Sequence, residues 1–121
     1  MKTARQALGM WGEDRAARYL EGEGYSLVER NARTMYGELD LVVRQGSALV
    51  FVEVKTRSST AFGRPEEAVT AQKQAHLLAA AQAYLLSHPD LEGEWRIDVI
   101  AIRRLRGLEP EIVHFENAVR G

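Results

Sequence analysis

Charged side chains interrupt two strongly apolar stretches near the middle of the chain. The first stretch contains Glu38 and Asp40, and the second contains Glu53 and Lys55. Carboxylate oxygens are the hard ligands that Mg²⁺ and Mn²⁺ prefer. Such an ion polarises a phosphodiester and lowers the pKa of an attacking water, while a neighbouring lysine orients that water or stabilises charge on the phosphate. The residue types therefore indicate metal-dependent phosphodiester chemistry, if the fold brings them together.

A Gly-Ser turn at 46–47 predicts how the two stretches pair. Gly at the first central position suits a two-residue type II′ hairpin. Pairing on either side of that turn places Asp40 opposite Glu53 and Glu38 opposite Lys55, on one surface of the sheet. Opposed carboxylates have Cβ atoms only ~5 Å apart and repel each other, so a bound cation would stabilise them. A salt-bridged, solvated strand face is the alternative interpretation.

Glu13 is a third informative acid. Apolar residues recur at helical spacing over 4–22, and Glu13 lies on the same stripe as Leu20. An unpaired carboxylate on an apolar stripe is destabilising by roughly a few kcal/mol. Glu13 is therefore expected to reach over the hairpin to the metal or its water, or alternatively to turn out to solvent at a tilted helix end or to pair with Arg15 or Arg18.

Three further residues are candidates for contact with nucleic acid. Arg57 lies on the same strand face as Glu53 and Lys55, so it could contact the scissile phosphate or form a plain salt bridge. Gln72 and Lys73 lie in the first turn of a predicted helix capped by Thr70, and a helix N-terminus favours phosphate. Both are also ordinary surface residues. Asp98 is expected to point inward and to support the site.

The composition limits the class of protein. The 121 residues predict a single domain, 1–121, and the net charge of −1 does not by itself indicate a nucleic-acid binder. The absence of cysteine excludes disulfides, thiolate metal sites and cysteine nucleophiles. The apolar runs are far shorter than the ~20 residues of a membrane span, and the start of the chain is amphipathic rather than a signal peptide. We therefore expect a cytoplasmic protein without membrane contact.

The periodicity predicts an α/β (α+β) fold in the order α-β-β-β-α-β-β, with a mixed five-stranded sheet flanked by two helices. The predicted elements are a helix over 4–22, strands over 25–30, 37–44 and 48–57, a polar loop over 56–65, residues 66–69 leading into a helix that ends at Ser87, and strands over 95–102 and 111–115.

The order of these motifs resembles the PD-(D/E)xK nuclease superfamily. More narrowly, it resembles the YraN-like family of small uncharacterised proteins, which are predicted endonucleases distantly similar to archaeal Holliday junction resolvases. The matching segments are Gly37-Glu38-Leu39-Asp40-Leu41-Val42, Val50 to Arg57 with Glu53-Val54-Lys55, Gly9 to Ala17 with Glu13, Pro65-Glu66-Glu67-Ala68-Val69, Lys73, and Arg96-Ile97-Asp98-Val99. Leu39 departs from the superfamily pattern, which has proline before the aspartate.

The resemblance implies a restriction-endonuclease-like core with particular roles for four residues. Asp40 and Glu53 would be metal ligands, Lys55 the catalytic lysine, and Glu13 the first-helix acid of the resolvase branch, which could also bind the metal. The implied function is a Mg²⁺- or Mn²⁺-dependent endonuclease acting on DNA, including structured or branched DNA. A resolvase-like role would also require a homodimer, since a symmetric junction needs two paired cuts. The alternatives are a non-catalytic nucleic-acid-binding module of the same fold and an adaptor for a protein partner.

Overall fold

Two helices and five strands follow one another in the predicted order in the computed structural model, which describes residues 1–58, 69–91 and 93–119. The elements are α1 (Ala4–Gly22), β1 (Ser26–Thr34), β2 (Gly37–Gln45), β3 (Ala48–Arg57), α2 (Ala71–Ser87), a short 3-10 helix (Pro89–Leu91), β4 (Trp95–Arg103) and β5 (Glu111–Val119).

The predicted bounds of α1 and β3 are confirmed, whereas β1 and β5 extend further than expected. β1 runs to Thr34 and β5 to Val119. Each contains an asparagine in the left-handed region, Asn31 and Asn117, both with φ of 51°. Asparagine tolerates that conformation, which interrupts the alternation of faces on which the sequence prediction depends. The part of the predicted loop from 59 onward and the stretch 66–68 lie outside the described residues.

The five strands form one mixed sheet in the order β1-β2-β3-β4-β5. Neighbouring strands are antiparallel except β3 and β4, which are parallel and are connected through α2. The two helices cover opposite faces of the sheet. The core on the α1 face includes Leu20, Val50 and Val52, and the core on the α2 face includes Phe51 and Leu77. Alternate residues of β3 therefore face different helices, and the side chain of Glu53 belongs to the α2 face.

Local signals in the sequence determine where the helices begin and how closely one of them approaches the sheet. Thr3 and Gln6 form a capping box at the start of α1, and the Thr70 hydroxyl accepts the Lys73 N–H at the start of α2. Gly12 is buried against β3, where a Cβ atom would overlap the hydroxyl of Thr56 and lie 2.9 Å from its Cβ. Glu13 is thus brought next to the sheet because its neighbour has no side chain.

No helix within 1–58, 69–91 or 93–119 is both long and apolar enough to cross a membrane.

Candidate functional site

The hairpin of β2 and β3 has the register expected from its turn. Paired residues run from Gln45 with Ala48 to Leu41 with Val52. Gly46 has a φ of 58°, and Ser47 is not among the residues with positive φ, as a type II′ turn requires. The backbone ladder ends at Leu41, so the two strands separate at the next residue of each, where the acids lie.

Asp40 connects the separating strands with its side chain. Its Oδ2 accepts a hydrogen bond of 2.8 Å from the Val54 N–H. Burial, a hydrogen bond with Glu53 and the negative charge of Glu53 together raise the pKa of Asp40 to about 8, against the opposing effect of the Val54 N–H. The carboxyl groups of Asp40 and Glu53 are therefore adjacent, as the register predicts, and one of them holds a proton near neutral pH.

Glu53 is a buried acid with an oxygen that lacks a hydrogen bond. The residue is 5% exposed, and its Oε2 has no hydrogen-bond partner. The Lys73 ammonium lies 3.3 Å from this oxygen, which counts as an ion pair by distance. We regard the contact as electrostatic, because its geometry does not meet the angular requirement of a hydrogen bond. The Lys73 ammonium thus lies next to the acid pair, whereas the sequence predicted for Lys73 only a phosphate contact at the start of the helix.

Glu13 approaches the same region from α1, although it does not pair with Arg15 or Arg18. Its Oε1 accepts a hydrogen bond of 3.1 Å from Asn31 Nδ2 and lies 3.7 Å from an Arg30 nitrogen. Arg15 instead contacts Glu109 at 3.5 Å. The negative charge of Glu13 contributes to the raised pKa of Asp40, which places the two acids in one electrostatic environment.

Asn31 is a site residue that sequence reasoning missed. The same Nδ2 that binds Glu13 also donates to Glu38 Oε1 at 3.1 Å, so the amide holds two carboxylates together. Asn31 falls opposite Asp40 in the β1–β2 register, because the neighbouring pairs are Arg30 with Leu41 and Ala32 with Leu39. The sequence signal for this role was a single asparagine within a stretch of alternating strand pattern. The expected pair of Glu38 and Lys55 is not part of the β2–β3 ladder, because that ladder ends at Leu41 with Val52, and Glu38 pairs with Arg33 of β1.

The remaining candidates lie on β3 and at the start of α2. Lys55 follows Glu53 by two residues on the same face and is half-buried. Within the described residues, no acid forms an ion pair with it. Arg57 and Gln72 are exposed, at the end of β3 and in the first turn of α2 respectively. The structure thus brings together Asp40, Glu53 and Lys73, with Glu13 nearby.

Three acids do not converge on one point. In the described ranges, no group of three or more His, Cys, Asp or Glu side chains is arranged to hold an ion. The protein contributes a pair of carboxylates, and Glu13 remains occupied by Asn31 and Arg30. Additional ligands at such a pair would have to come from the backbone, water or substrate.

Comparison with known proteins identifies the family. Residues 12–102 match the uncharacterised protein family UPF0102. The chain belongs to this family. A UPF0102 protein from Syntrophotalea carbinolica is 50% identical across 98% of this chain and 95% of its own length. UPF0102 proteins from Beutenbergia cavernae and Syntrophomonas wolfei are 52% and 51% identical over 92% of the chain, covering 94% and 96% of their own lengths. The YraN-like resemblance is thereby confirmed.

The segment shared with UPF0102 contains the whole candidate site, because Glu13, Asp40, Glu53, Lys55 and Lys73 all fall within it. β5 follows the end of this segment. The matched segment thus begins within α1 and ends within β4.

Asp98 in this UPF0102 chain does not support the acid pair, contrary to the sequence prediction. It pairs with Val52 across β3 and β4, so it lies on the α1 face, away from Glu53. Its carboxylate is fully buried and accepts hydrogen bonds from Arg96, from His114 at 2.8 Å and from the Asn117 N–H at 2.9 Å. Burial alone would raise the pKa of Asp98, but these hydrogen bonds outweigh it and lower the pKa. Asp98 secures the irregular part of β5.

Proposed function

We propose that this UPF0102 chain is a metal-dependent nuclease that hydrolyses phosphodiester bonds in DNA as an endonuclease. The observation that carries this proposal is the oxygen of Glu53 that is buried without a hydrogen bond beside the carboxyl group of Asp40. A buried carboxylate is stable only when a cation or hydrogen-bond donors compensate for the lost water. A divalent cation between the two acids would provide that compensation.

The donor atoms at this position fit Mg²⁺ or Mn²⁺. Both ions select oxygen ligands, and neither requires histidine or cysteine. Val54 can add a third oxygen, because the N–H and C=O of one strand residue point to the same side, and its N–H points toward Asp40. The carbonyl thus faces the space where β2 no longer pairs with β3. When bound there, such an ion would polarise the phosphodiester and acidify an attacking water.

Two lysines supply positive charge on the α2 face of the site. Lys55 lies beside Glu53 on the strand and would orient the attacking water or stabilise the charge that develops on the phosphate. Lys73 holds the Glu53 carboxylate when no metal is bound, and would turn to a phosphate oxygen once Glu53 has another partner. Glu13 and its partner Asn31 would bind water of the metal rather than the metal itself. Arg57 and Gln72, exposed at the edge of this region, would contact the nucleic-acid backbone.

Isothermal calorimetry with Mg²⁺ and Mn²⁺, followed by a cleavage panel, tests the proposal. The panel includes linear duplex, single-stranded, flapped and four-way DNA. Glu53→Gln and Asp40→Asn retain the side-chain volumes and remove the charges, while Glu21→Gln on the exposed side of α1 is a matched control. We expect the two site variants to weaken metal binding more than a hundredfold, since loss of a mere supporting group already weakens it by about 10–100-fold.

The outcomes separate the proposed function from its alternatives. Metal binding and cleavage by the wild type and by Glu21→Gln, but not by the site variants, supports the nuclease. Salt-sensitive DNA binding without turnover would replace it with a non-catalytic binding module. Absence of both metal and DNA binding would leave a protein-partner adaptor. Cleavage of a four-way junction on both strands would require two copies of the site, so sedimentation of the same preparation should then show a homodimer.

A further inference from the structure

Asn31 has a backbone conformation that residues with a side chain rarely adopt inside a strand. Its φ is 51°, in the left-handed region. Asparagine enters this region at lower cost than most residues, and glycine enters it freely. A left-handed residue interrupts the regular alternation of a strand, so the side chains on either side of it can lie on opposite faces of the sheet.

β2 reverses its faces at Asp40. Leu39 belongs to the core on the α2 face, whereas Leu41 belongs to the core on the α1 face. A regular strand places residues that are two apart on the same face, so the alternation is broken at the residue between them. The Asp40 side chain consequently lies between the two faces, close to the plane of the sheet, where its Oδ2 accepts the Val54 N–H at 2.8 Å.

β1 makes the same reversal at Asn31, directly opposite Asp40. The Arg30 guanidinium lies 2.7 Å from an acid of α1, whereas Ala32 belongs to the core on the α2 face. Because both strands change faces at one place, the pairs before and after this position keep one register. A residue at 31 confined to negative φ would continue the alternation of β1 and bring it out of step with β2. Asn31 thus lets the Asp40 side chain turn toward β3 without loss of the β1–β2 pairing.

The side chain of Asn31 adds a second restraint, on the acid of α1. Its Nδ2 donates to Glu13 Oε1 and to Glu38 Oε1, each at 3.1 Å. All three residues line a cavity of about 470 Å³. Glycine at position 31 would keep the backbone conformation and remove both hydrogen bonds, so the two contributions of Asn31 can be separated by substitution.

We propose that Asn31 is a positioning residue for the candidate metal site: its left-handed backbone directs the Asp40 carboxyl group toward β3 beside Glu53, and its amide restrains Glu13. The inference rests on the proposed nuclease function and adds a positioning residue to the same site. It requires no contact between Asn31 and metal or substrate. A merely structural role would lower the stability of the fold without a specific effect on Asp40.

The chain contains a matched control in β5. Asn117 has the same φ of 51°, and its N–H donates to the Asp98 carboxylate of the neighbouring strand at 2.9 Å. Asp98 lies on the α1 face with Arg96 and His114, away from Glu53. Substitution of Asn117 therefore disturbs the same conformation at a place separate from the acid pair.

Hydrogen exchange of the Val54 amide, followed by NMR, and calorimetry with Mn²⁺ test the proposal on the full chain. The variants are Asn31→Gly and Asn31→Ala, with Asn117→Gly and Asn117→Ala as controls. Asn31→Ala should speed exchange at Val54 about tenfold relative to the amides of β4, because the Asp40 acceptor is displaced. It should also weaken Mn²⁺ binding about 10–100-fold. Asn31→Gly should leave Val54 protected and weaken Mn²⁺ binding less. Both Asn117 variants should keep wild-type values of both quantities.

The two measurements separate this inference from the proposed function. No Mn²⁺ binding by the wild type would overturn the nuclease, whereas Val54 protection that depends on Asn31 would still support the positioning of Asp40. Equal effects of Asn31→Ala and Asn117→Ala would overturn the proposal, as would loss of Val54 protection in Asn31→Gly or unchanged Mn²⁺ affinity in Asn31→Ala.

A double-mutant cycle keeps the proposal testable if Asn31→Ala does not fold. Asn31→Gly and Glu13→Gln each remove the hydrogen bond between these residues, so their effects on Mn²⁺ affinity should be less than additive when they are combined. Strictly additive effects, or no effect of either substitution, would overturn the proposal.

Discussion

The carboxylate of Asp40 accepts the backbone N–H of Val54 at 2.8 Å, at the point where β2 and β3 cease to pair. A side chain thus takes the place of the next carbonyl of the ladder. This contact satisfies a backbone donor that the separated strands would otherwise leave unpaired. It also fixes the half-buried Asp40 carboxyl group beside the buried Glu53.

The raised pKa of Asp40 predicts the pH dependence of stability and of metal binding. Because its pKa rises from 3.8 to about 8 on folding, the native state holds a proton that the unfolded chain has lost. The free energy of unfolding without metal should therefore fall as the pH rises from about 4 to about 8, and then level off. Metal displaces this proton, so affinity should increase up to about tenfold per pH unit until about pH 8.

Denaturant titrations and calorimetry between pH 5 and pH 9 measure both effects, with Asp40→Asn as the reference. This variant keeps an oxygen for the Val54 N–H but cannot titrate. A pH profile of stability shared by the wild type and Asp40→Asn would contradict the assignment.

Lys73→Met should destabilise the metal-free protein by about 1–2 kcal/mol. The substitution leaves Glu53 buried without a neighbouring cation, and the effect is smaller than for a fully buried pair because the Lys73 side chain is 39% exposed. Metal affinity should rise, since the ammonium no longer competes for the carboxylate. Urea denaturation without Mg²⁺ measures the loss of stability, and the same titration with Mg²⁺ measures the added stabilisation by metal. Gln72→Met in the same helical turn is the control. Equal metal-free stabilities of the two variants would show that Lys73 does not hold Glu53.

Gly12→Ala should lower the free energy of unfolding by about 1–3 kcal/mol, because the added methyl group would overlap Thr56 and push α1 away from β3. Gly9→Ala on the same helix is the control. No atom lies within 4 Å of the added methyl group there, so it should be neutral or stabilising by about 0.5–1 kcal/mol. Combining Gly12→Ala with Thr56→Ala should recover part of the loss, as a double-mutant cycle would report. Strict additivity would exclude this contact as the cause.

Asp98→Asn should destabilise the protein by about 3–5 kcal/mol without changing metal affinity per folded molecule. It removes the buried counter-charge of Arg96 and a hydrogen-bond acceptor of His114 on the sheet face opposite the acid pair. Since the pKa of Asp98 is lowered on folding, its contribution is present above about pH 4 and is lost as the pH falls through the lowered value. Thermal unfolding and calorimetry compare it with Asp90→Asn on the surface. Weakened metal binding in folded Asp98→Asn would place the residue within the site after all.

Much of the hairpin could be predicted from sequence because its rules are local. The Gly46-Ser47 turn sets the register, and the side-chain period of two then determines which residues share a face. The same reasoning located the adjacent carboxyls of Asp40 and Glu53 and the helix that carries Lys73. Helix bounds followed from Thr3 and Thr70, whose capping bonds involve residues only a few positions away.

Contacts between distant segments could not be predicted in this way. Asp98 was expected at the acid pair, yet parallel pairing with β3 turned it to the other face. For Glu13 the sequence offered the metal site, solvent or an arginine of its own helix, whereas in the structure Arg30 and Asn31 of β1 contact it. Neither the left-handed conformation of Asn31 nor the pairing of β1 with β2 is encoded in a short periodic pattern.

The sequence by itself determined the elements, their order and the pair of acids on one hairpin face, because periodicity, turn chemistry and capping act over a few residues. Tertiary structure alone decided that Lys73 meets Glu53, that β2 and β3 separate at Asp40, and that β1 changes faces opposite that residue. Those features depend on how two helices pack on opposite faces of a twisted sheet. The resulting burial places the Glu53 carboxylate beside the Lys73 ammonium, which compensates for part of the lost hydration.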